Sequence, residues 1–177
     1  MRKLEVIELG RMNSEEYKRS LKMPVTVILD DVRSLYNVGS VFRTSDAFRI
    51  EKIILCGITA TPDNSLVEIH KTALGAEETV EWEYCSDCVS AVKDLKSKGY
   101  TAIAVEQVED SIKLGDFKAD RNSSYALVFG NEVKGVNQQV VDNCDISLEI
   151  PQYGTKHSLN VSVSAGIVIW EFAKQFH

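Results

Sequence analysis

Three stretches of the 177-residue chain concentrate the side chains that could do chemistry, and each follows a short apolar run. The first, DDVRSLYNVGSVFRTSDAF from Asp30 to Phe48, offers Asn37 and Arg43. Arg43 lies among Val41, Phe42, Ala47 and Phe48, a setting in which a guanidinium calls for a planar anionic partner, and a phosphate would fit. The plainer reading makes Asn37 a helix N-cap and Arg43 a surface charge. The second stretch, FGNEVKGV from Phe129 to Val136, sets Asn131 and Glu132 between Gly130 and Gly135. It is neither a dinucleotide fingerprint nor a Walker loop. It reads as a strand-to-helix turn whose glycines supply positive φ, with Glu132 a solvated acid near a helix start, or as a backbone loop that approaches a ligand closely because Gly130 has no side chain. The third, IPQYGTKHSLN from Ile150 to Asn160, runs through Lys156, His157 and Ser158 directly into an apolar segment.

The elements that position these loops alternate along the chain. Val25 to Asp31, Lys52 to Gly57, Thr101 to Glu106, Tyr125 to Gly130 and Ile146 to Pro151 are short, rich in β-branched residues and almost continuously apolar, as buried parallel strands are. NVGSVFRTSDAFRI, CVSAVKDLKSKGY and GVNQQVVDNC between them suit helices. The pattern predicts an α/β fold, an open and mostly parallel sheet with helices on both faces, in which ligands gather where strands end and loops begin. All three polar stretches follow strands. Residues 1–22 read as a short polar helical appendage and residues 23–177 as one domain. From Ser158 to Phe176 the apolar residues alternate at period two, yet the length without proline favours a helix, with Ser158 as N-cap and Lys174 near its C-terminus. A helix apolar on nearly every side is expected to be buried, in its own domain or against a partner.

Composition bounds the function. A hydrophobic content of 44% with 26% charged residues is that of a globular domain. The charged N-terminus has no signal-peptide core and no stretch reaches transmembrane length, so the expectation is a cytoplasmic protein. Of the four cysteines only Cys85 and Cys88 have metal-like spacing, and with three histidines (His70, His157 and His177) no metal site is expected. The net charge of −6 argues against a protein that simply coats nucleic acid. Acids concentrate between Glu77 and Asp110, whereas Arg33, Arg43, Arg49, His70, Lys71, Lys134, Lys156 and His157 fall in or near the Gly/Ser/Asn-rich stretches, which predicts a local basic mouth.

NVGSVFRTSDAF, LVFGNEVKGV and IPQYGTKHSLNVSVSAGI, in that order and at these separations, resemble the SpoU (TrmH-like) class of SPOUT RNA methyltransferases, over roughly residues 25–176. The resemblance implies methyl transfer from S-adenosylmethionine to a ribose 2'-hydroxyl in tRNA or rRNA, without a metal, by a homodimer that engages neither membrane nor DNA. It also implies a C-terminal segment threaded into a deep trefoil knot, which no periodicity could have shown because threading is nearly absent from known folds. Carried over by position, Gly130, Ile150 and Leu159 line the donor pocket with Asn131 beside them. Asn37, Arg43, Glu132, Ser158 and Asn160 surround the reacting centre, and Arg43 grips the RNA phosphate. Many members of the class have serine where this chain has Asn131, and alanine within the segment Ser162 to Ser164. The competing readings are a non-catalytic RNA-binding or assembly protein on the same knotted fold, and a nucleotide-dependent oxidoreductase, which lacks its glycine fingerprint here.

Overall fold

The computed structural model describes residues 1–176, so the last residue of the expected domain, His177, lies outside the described residues. Seven strands, β1 (Met23–Asp30), β2 (Ile50–Cys56), β3 (Trp82–Cys85), β4 (Tyr100–Val105), β5 (Ile112–Lys113), β6 (Ser124–Phe129) and β7 (Ile146–Glu149), form one sheet in the order β3-β2-β1-β6-β4-β7-β5. Every pairing is parallel. That follows from the apolar runs: Val25, Val27, Ile28 and Leu29 of β1 are all fully buried, so both faces of the strand must be covered.

The covering layers are helical. Helices α1 (Ser14–Arg19), α2 (Leu35–Ala47), α3 (Pro62–Ala73), α4 (Ala76–Thr79), α5 (Cys88–Ser97), α6 (Gln138–Val141) and α7 (Val161–Phe176) divide between two cores. Val38, Val41 and Phe42 of α2 and Val168, Ile169 and Phe172 of α7 pack on one face of the sheet, against Val27, Leu29 and Leu127. Ala91, Val92 and Leu95 of α5 and Val140 of α6 pack on the other, against Ile28, Ala126 and Val128. Tyr17 of α1 is buried in the first core, so the segment before β1 is not wholly a free appendage. Among the described residues no helix is long and apolar enough to cross a membrane.

Several expectations are corrected. The N-cap of α2 is Ser34, whose side chain accepts from Asn37 N, so Asn37 sits inside the first turn rather than capping it. Helix α7 begins at Val161 instead of Ser158 because Asn160 Oδ1 accepts from Ser162 N at 2.9 Å and ends the preceding loop. It is also not buried all round in the single chain: Val163, Ile167 and Trp170 are 49%, 38% and 52% exposed along one stripe. Helix α6 is only four residues long. Strands β3 and β5 and helix α3 went unread. The two strands are short, with residues left at the surface, and the acidic context of β3 hides its period. Helix α3 opens through Thr61 and Pro62, a capping signal, but Asp63, Asn64 and a non-helical Ser65 imitate a loop.

Packing at the C-terminal helix is aromatic. The Phe172 ring lies 5.5 Å from that of Phe117 and 5.3 Å from that of Tyr125, and its side chain is fully buried. Phe172→Ala is therefore expected to cost roughly 3–5 kcal/mol of unfolding free energy, measured by urea titration, since the sheet cannot collapse into the hole. A loss below about 1 kcal/mol would show that α7 is not anchored through this ring.

Candidate active site

The parallel register brings the carboxyl ends of β1, β6, β4 and β7 to one edge: Leu29 stands beside Phe129, Ala104 beside Val128 and Val105 beside Leu148. The three polar stretches therefore leave the sheet side by side. Between the loops after β4, β6 and β7 lies a cavity of about 300 Å³ floored by Val105, Phe129, Leu148, Ile150, Leu159 and Val161, and the first stretch contributes none of its lining. Of the expected donor-pocket residues, Gly130, Asn131, Ile150 and Leu159 all line it, as do Glu132 and Ser158.

The loops are bound to one another through Glu132. Its carboxylate accepts from Arg33 N at 3.0 Å, Ser34 N at 2.9 Å and Asn37 Nδ2 at 3.0 Å. Burial pushes the carboxyl pKa up, but these hydrogen bonds outweigh it and hold the group below its ordinary value. The Asn37 carboxamide passes the chain on, since its Oδ1 accepts from Asn160 Nδ2 at 3.1 Å. Asn160 in turn caps α7. Glu132 is thus neither a solvated acid nor a free base: it is the common acceptor at the start of α2, and through Asn37 it reaches the start of α7.

Asn131 and Gly130 complete the second loop. Asn131 Nδ2 donates to Asp31 O at 2.7 Å, and its Oδ1 accepts from Val133 N at 2.9 Å. A paired bridge between Asn131 and Gly135 folds the loop back on itself. A Cβ at Gly130 would lie 2.1 Å from Gly135 C and Val136 N, so the close approach that this glycine permits is first to its own loop's return. Gly135, by contrast, does supply a positive φ, +68°.

The basic mouth is smaller than expected. Lys134 and His157 line the cavity, but Arg43 is exposed on α2 outside its lining, and His70 Nδ1 pairs with Glu77 Oε1 at 2.5 Å. Val41 and Phe42 beside Arg43 face the core while the guanidinium does not. Two residues that sequence reasoning passed over, Glu106 and Gln107, also line the cavity. The signal for them was their place at the carboxyl end of a predicted strand, Glu106 its last residue and Gln107 the next. All four cysteines are free, and among the described residues no group of three metal-ligating side chains converges.

A parallel sheet with such a cavity at its carboxyl edge defines the fold class, and comparison with known proteins supplies the family. The sequence model of the SpoU rRNA Methylase family matches residues 24–170, and the chain belongs to this family. It is 32% identical over 157 residues to the 23S rRNA (guanosine-2'-O-)-methyltransferase RlmB of Neisseria meningitidis, covering 86% of this chain and 59% of that protein's length. It is 30% identical over 172 residues to the tRNA (guanosine(18)-2'-O)-methyltransferase of Thermus thermophilus, covering 97% of this chain and 85% of that one. The crystal structure of the A. aeolicus TrmH/SpoU tRNA modifying enzyme superposes with a TM-score of 0.79 at 26% identity, over 92% of this chain and 80% of that one.

The depressed Glu132 pKa has a signed consequence. A carboxyl whose folded value lies below its unfolded value adds stability at neutral pH, and that contribution is lost as pH falls through the folded value. The stability gap between wild type and Glu132→Gln, followed by urea unfolding, is expected to be full at neutral pH and to shrink as acid protonates the wild-type carboxylate. A gap independent of pH would show that the charge is not what holds the loops.

Proposed function

We propose that this chain is an S-adenosylmethionine-dependent methyltransferase that acts on a ribose 2'-hydroxyl of tRNA or rRNA, as a cytoplasmic homodimer and without a metal ion. The observation that carries the reading is the cavity at the carboxyl edge of the sheet, with its apolar floor and its rim of loops tied through Glu132, in a chain of the SpoU family. The names of the Neisseria and Thermus relatives specify rRNA and tRNA respectively, which supports RNA as the substrate class and leaves the choice between them open.

The residues present fit the donor. The apolar floor suits an adenine ring, and Glu106, Glu132 and Glu149 around the cavity suit a positively charged sulfur. When bound, the donor supplies a methyl group on that sulfur; what remains is positioning, which can lower a barrier of this kind by several kcal/mol, on the order of 7–11 in the best-oriented cases. Gly130, Ile150 and Leu159 would hold adenine and ribose, with Asn131 shaping the loop. Asn37, Glu132 and Asn160 are already engaged with one another, so their role is to fix the loops, while the Ser158 hydroxyl at the rim is the polar group left to meet the substrate. Arg43 offers a planar fork of donors, and its task is to grip the RNA phosphate.

The dimer rests on two observations. The α7 stripe Val163, Ile167 and Trp170 is exposed apolar surface, which water penalises by about 25 cal/mol per Å². Arg43 stands outside its own cavity, on the helix that packs beside α7, so a second copy seated on that stripe would let one subunit present Arg43 to a donor held by the other. The same reading includes the threaded C-terminal segment, which rests on membership of the SpoU family.

The non-catalytic alternative differs in product: RNA incubated with labelled donor would bind and stay unmethylated, whereas the enzyme yields a 2'-O-methyl nucleoside that can be mapped after digestion. Arg43→Ala is expected to abolish or severely reduce transfer while calorimetric donor binding stays near wild type, and Arg43→Lys to restore little because the planar two-point grip is lost. Wild-type turnover by a folded Arg43→Ala protein would remove the residue from the site. Light scattering at micromolar concentration is expected to report a dimer that Trp170→Glu shifts toward monomer; a wild-type monomer would contradict the shared site.

A further inference from the structure

We propose that Glu106 is a donor-contact residue whose carboxylate accepts hydrogen bonds from the vicinal hydroxyls of the donor's ribose, an inference that rests on the methyltransferase reading above. Glu106 follows β4 directly and lines the cavity. Its Oε2 accepts from Val136 N at 2.9 Å, and its Oε1 accepts from Gln107 N at 2.8 Å. A carboxylate oxygen has two acceptor directions, so each oxygen of Glu106 keeps one unused.

The other carboxylates at the cavity are differently committed. Glu132 is engaged by Arg33 N, Ser34 N and Asn37 Nδ2, and Glu149 accepts from Ser111 Oγ at 2.6 Å and pairs with Lys113 Nζ at 2.8 Å. Among the described residues, Glu106 alone of the three takes only backbone amides. The loop opposite makes room for it: a Cβ at Gly135 would lie 2.1 Å from Glu106 Oε2, and that position also adopts a left-handed φ of +68°. A carboxylate seated this closely, fixed by two amides and left with one acceptor on each of two adjacent oxygens, matches a pair of adjacent hydroxyl donors. Two hydroxyls held side by side on one ring can meet both oxygens at once.

The two amides also make Glu106 a brace, because they join the end of β4 to the loop after β6, so loss of affinity alone does not separate contact from bracing. Discrimination between two ligands within one variant does. Calorimetry would compare S-adenosylhomocysteine with its 2',3'-dideoxyribose counterpart on wild type, Glu106→Ala and Glu106→Gln, each first checked for a cooperative thermal transition. Wild type is expected to prefer the diol by about tenfold or more, the scale of a hydrogen bond to a charged acceptor. That ratio should collapse toward unity in Glu106→Ala and fall to an intermediate value in Glu106→Gln. If wild type does not discriminate, or both variants keep the wild-type ratio, Glu106 is a brace only and the inference fails while the donor reading stands. If wild type binds neither ligand, the donor reading fails and takes the inference with it.

Discussion

A single half-buried carboxylate sets the geometry on which the site depends. Glu132 accepts hydrogen bonds from two backbone amides ahead of α2 and from the side chain of Asn37 within it. The amino end of a helix carries unpaired N–H groups and the positive end of its dipole, so a carboxylate there is favoured twice. What distinguishes this one is its origin in a different loop, about a hundred residues on. Remove the charge and the loop after β6 loses its attachment to the loop after β1; Asn37 then has no fixed orientation from which to hold Asn160, and the start of α7 loosens. The cavity opens beside this junction, between the loops after β4, β6 and β7.

That arrangement makes the turns around the cavity tight. Four parallel strands end at the same edge, and their loops turn back tightly enough that Gly130 meets the main chain of Gly135 and Val136. Polar side chains are then used mainly to hold loops: Glu132 for α2, Glu106 for the return at Val136, Asn131 for Asp31 O. A rim built in this way can present carbonyls and amides to a planar ring with little rearrangement, which is how a site accelerates a displacement chiefly by alignment.

The alternation of apolar runs made the sheet legible, because a strand buried on both faces has to be apolar along its length; Val25 to Leu29 is the clearest case. The edge strands β3 and β5 escaped notice for the same reason inverted, since strands with surface-facing residues need no such run. The residues of the site were legible as loops with special composition, and their membership through resemblance. Their connections were not. Nothing in the spacing of Glu132 and Asn37 says that they touch, since the contact depends on β1 and β6 being neighbours in the sheet, a fact of tertiary order. Arg43 shows the converse: its apolar neighbours in sequence suggested a guanidinium in need of an anionic partner, and the helical period turns residue 43 outward, where the plainer reading put it, while Val41 and Phe42 face the core.

The distribution of charge follows from the same division. The cavity carries Glu106, Glu132 and Glu149, whereas basic side chains stand at or beyond its rim: Lys134 and His157 along the lining, Arg43 and Lys156 exposed outside it. Under the proposed reading this order suits the two ligands separately. A donor with a positive sulfur is favoured by carboxylates at short range, where water is scarce and their field is least screened. A polyanionic RNA is repelled by the same groups and must be met farther out by cations that offset them. The net charge of −6 is therefore no obstacle to RNA binding, provided that the basic groups are nearer the approaching phosphates than the acids are. In one subunit Arg43 falls short of that position. Under the proposed reading a second copy seated on the α7 stripe would bring another Arg43 to the rim, so that covering the exposed apolar surface and completing the phosphate grip would become one requirement.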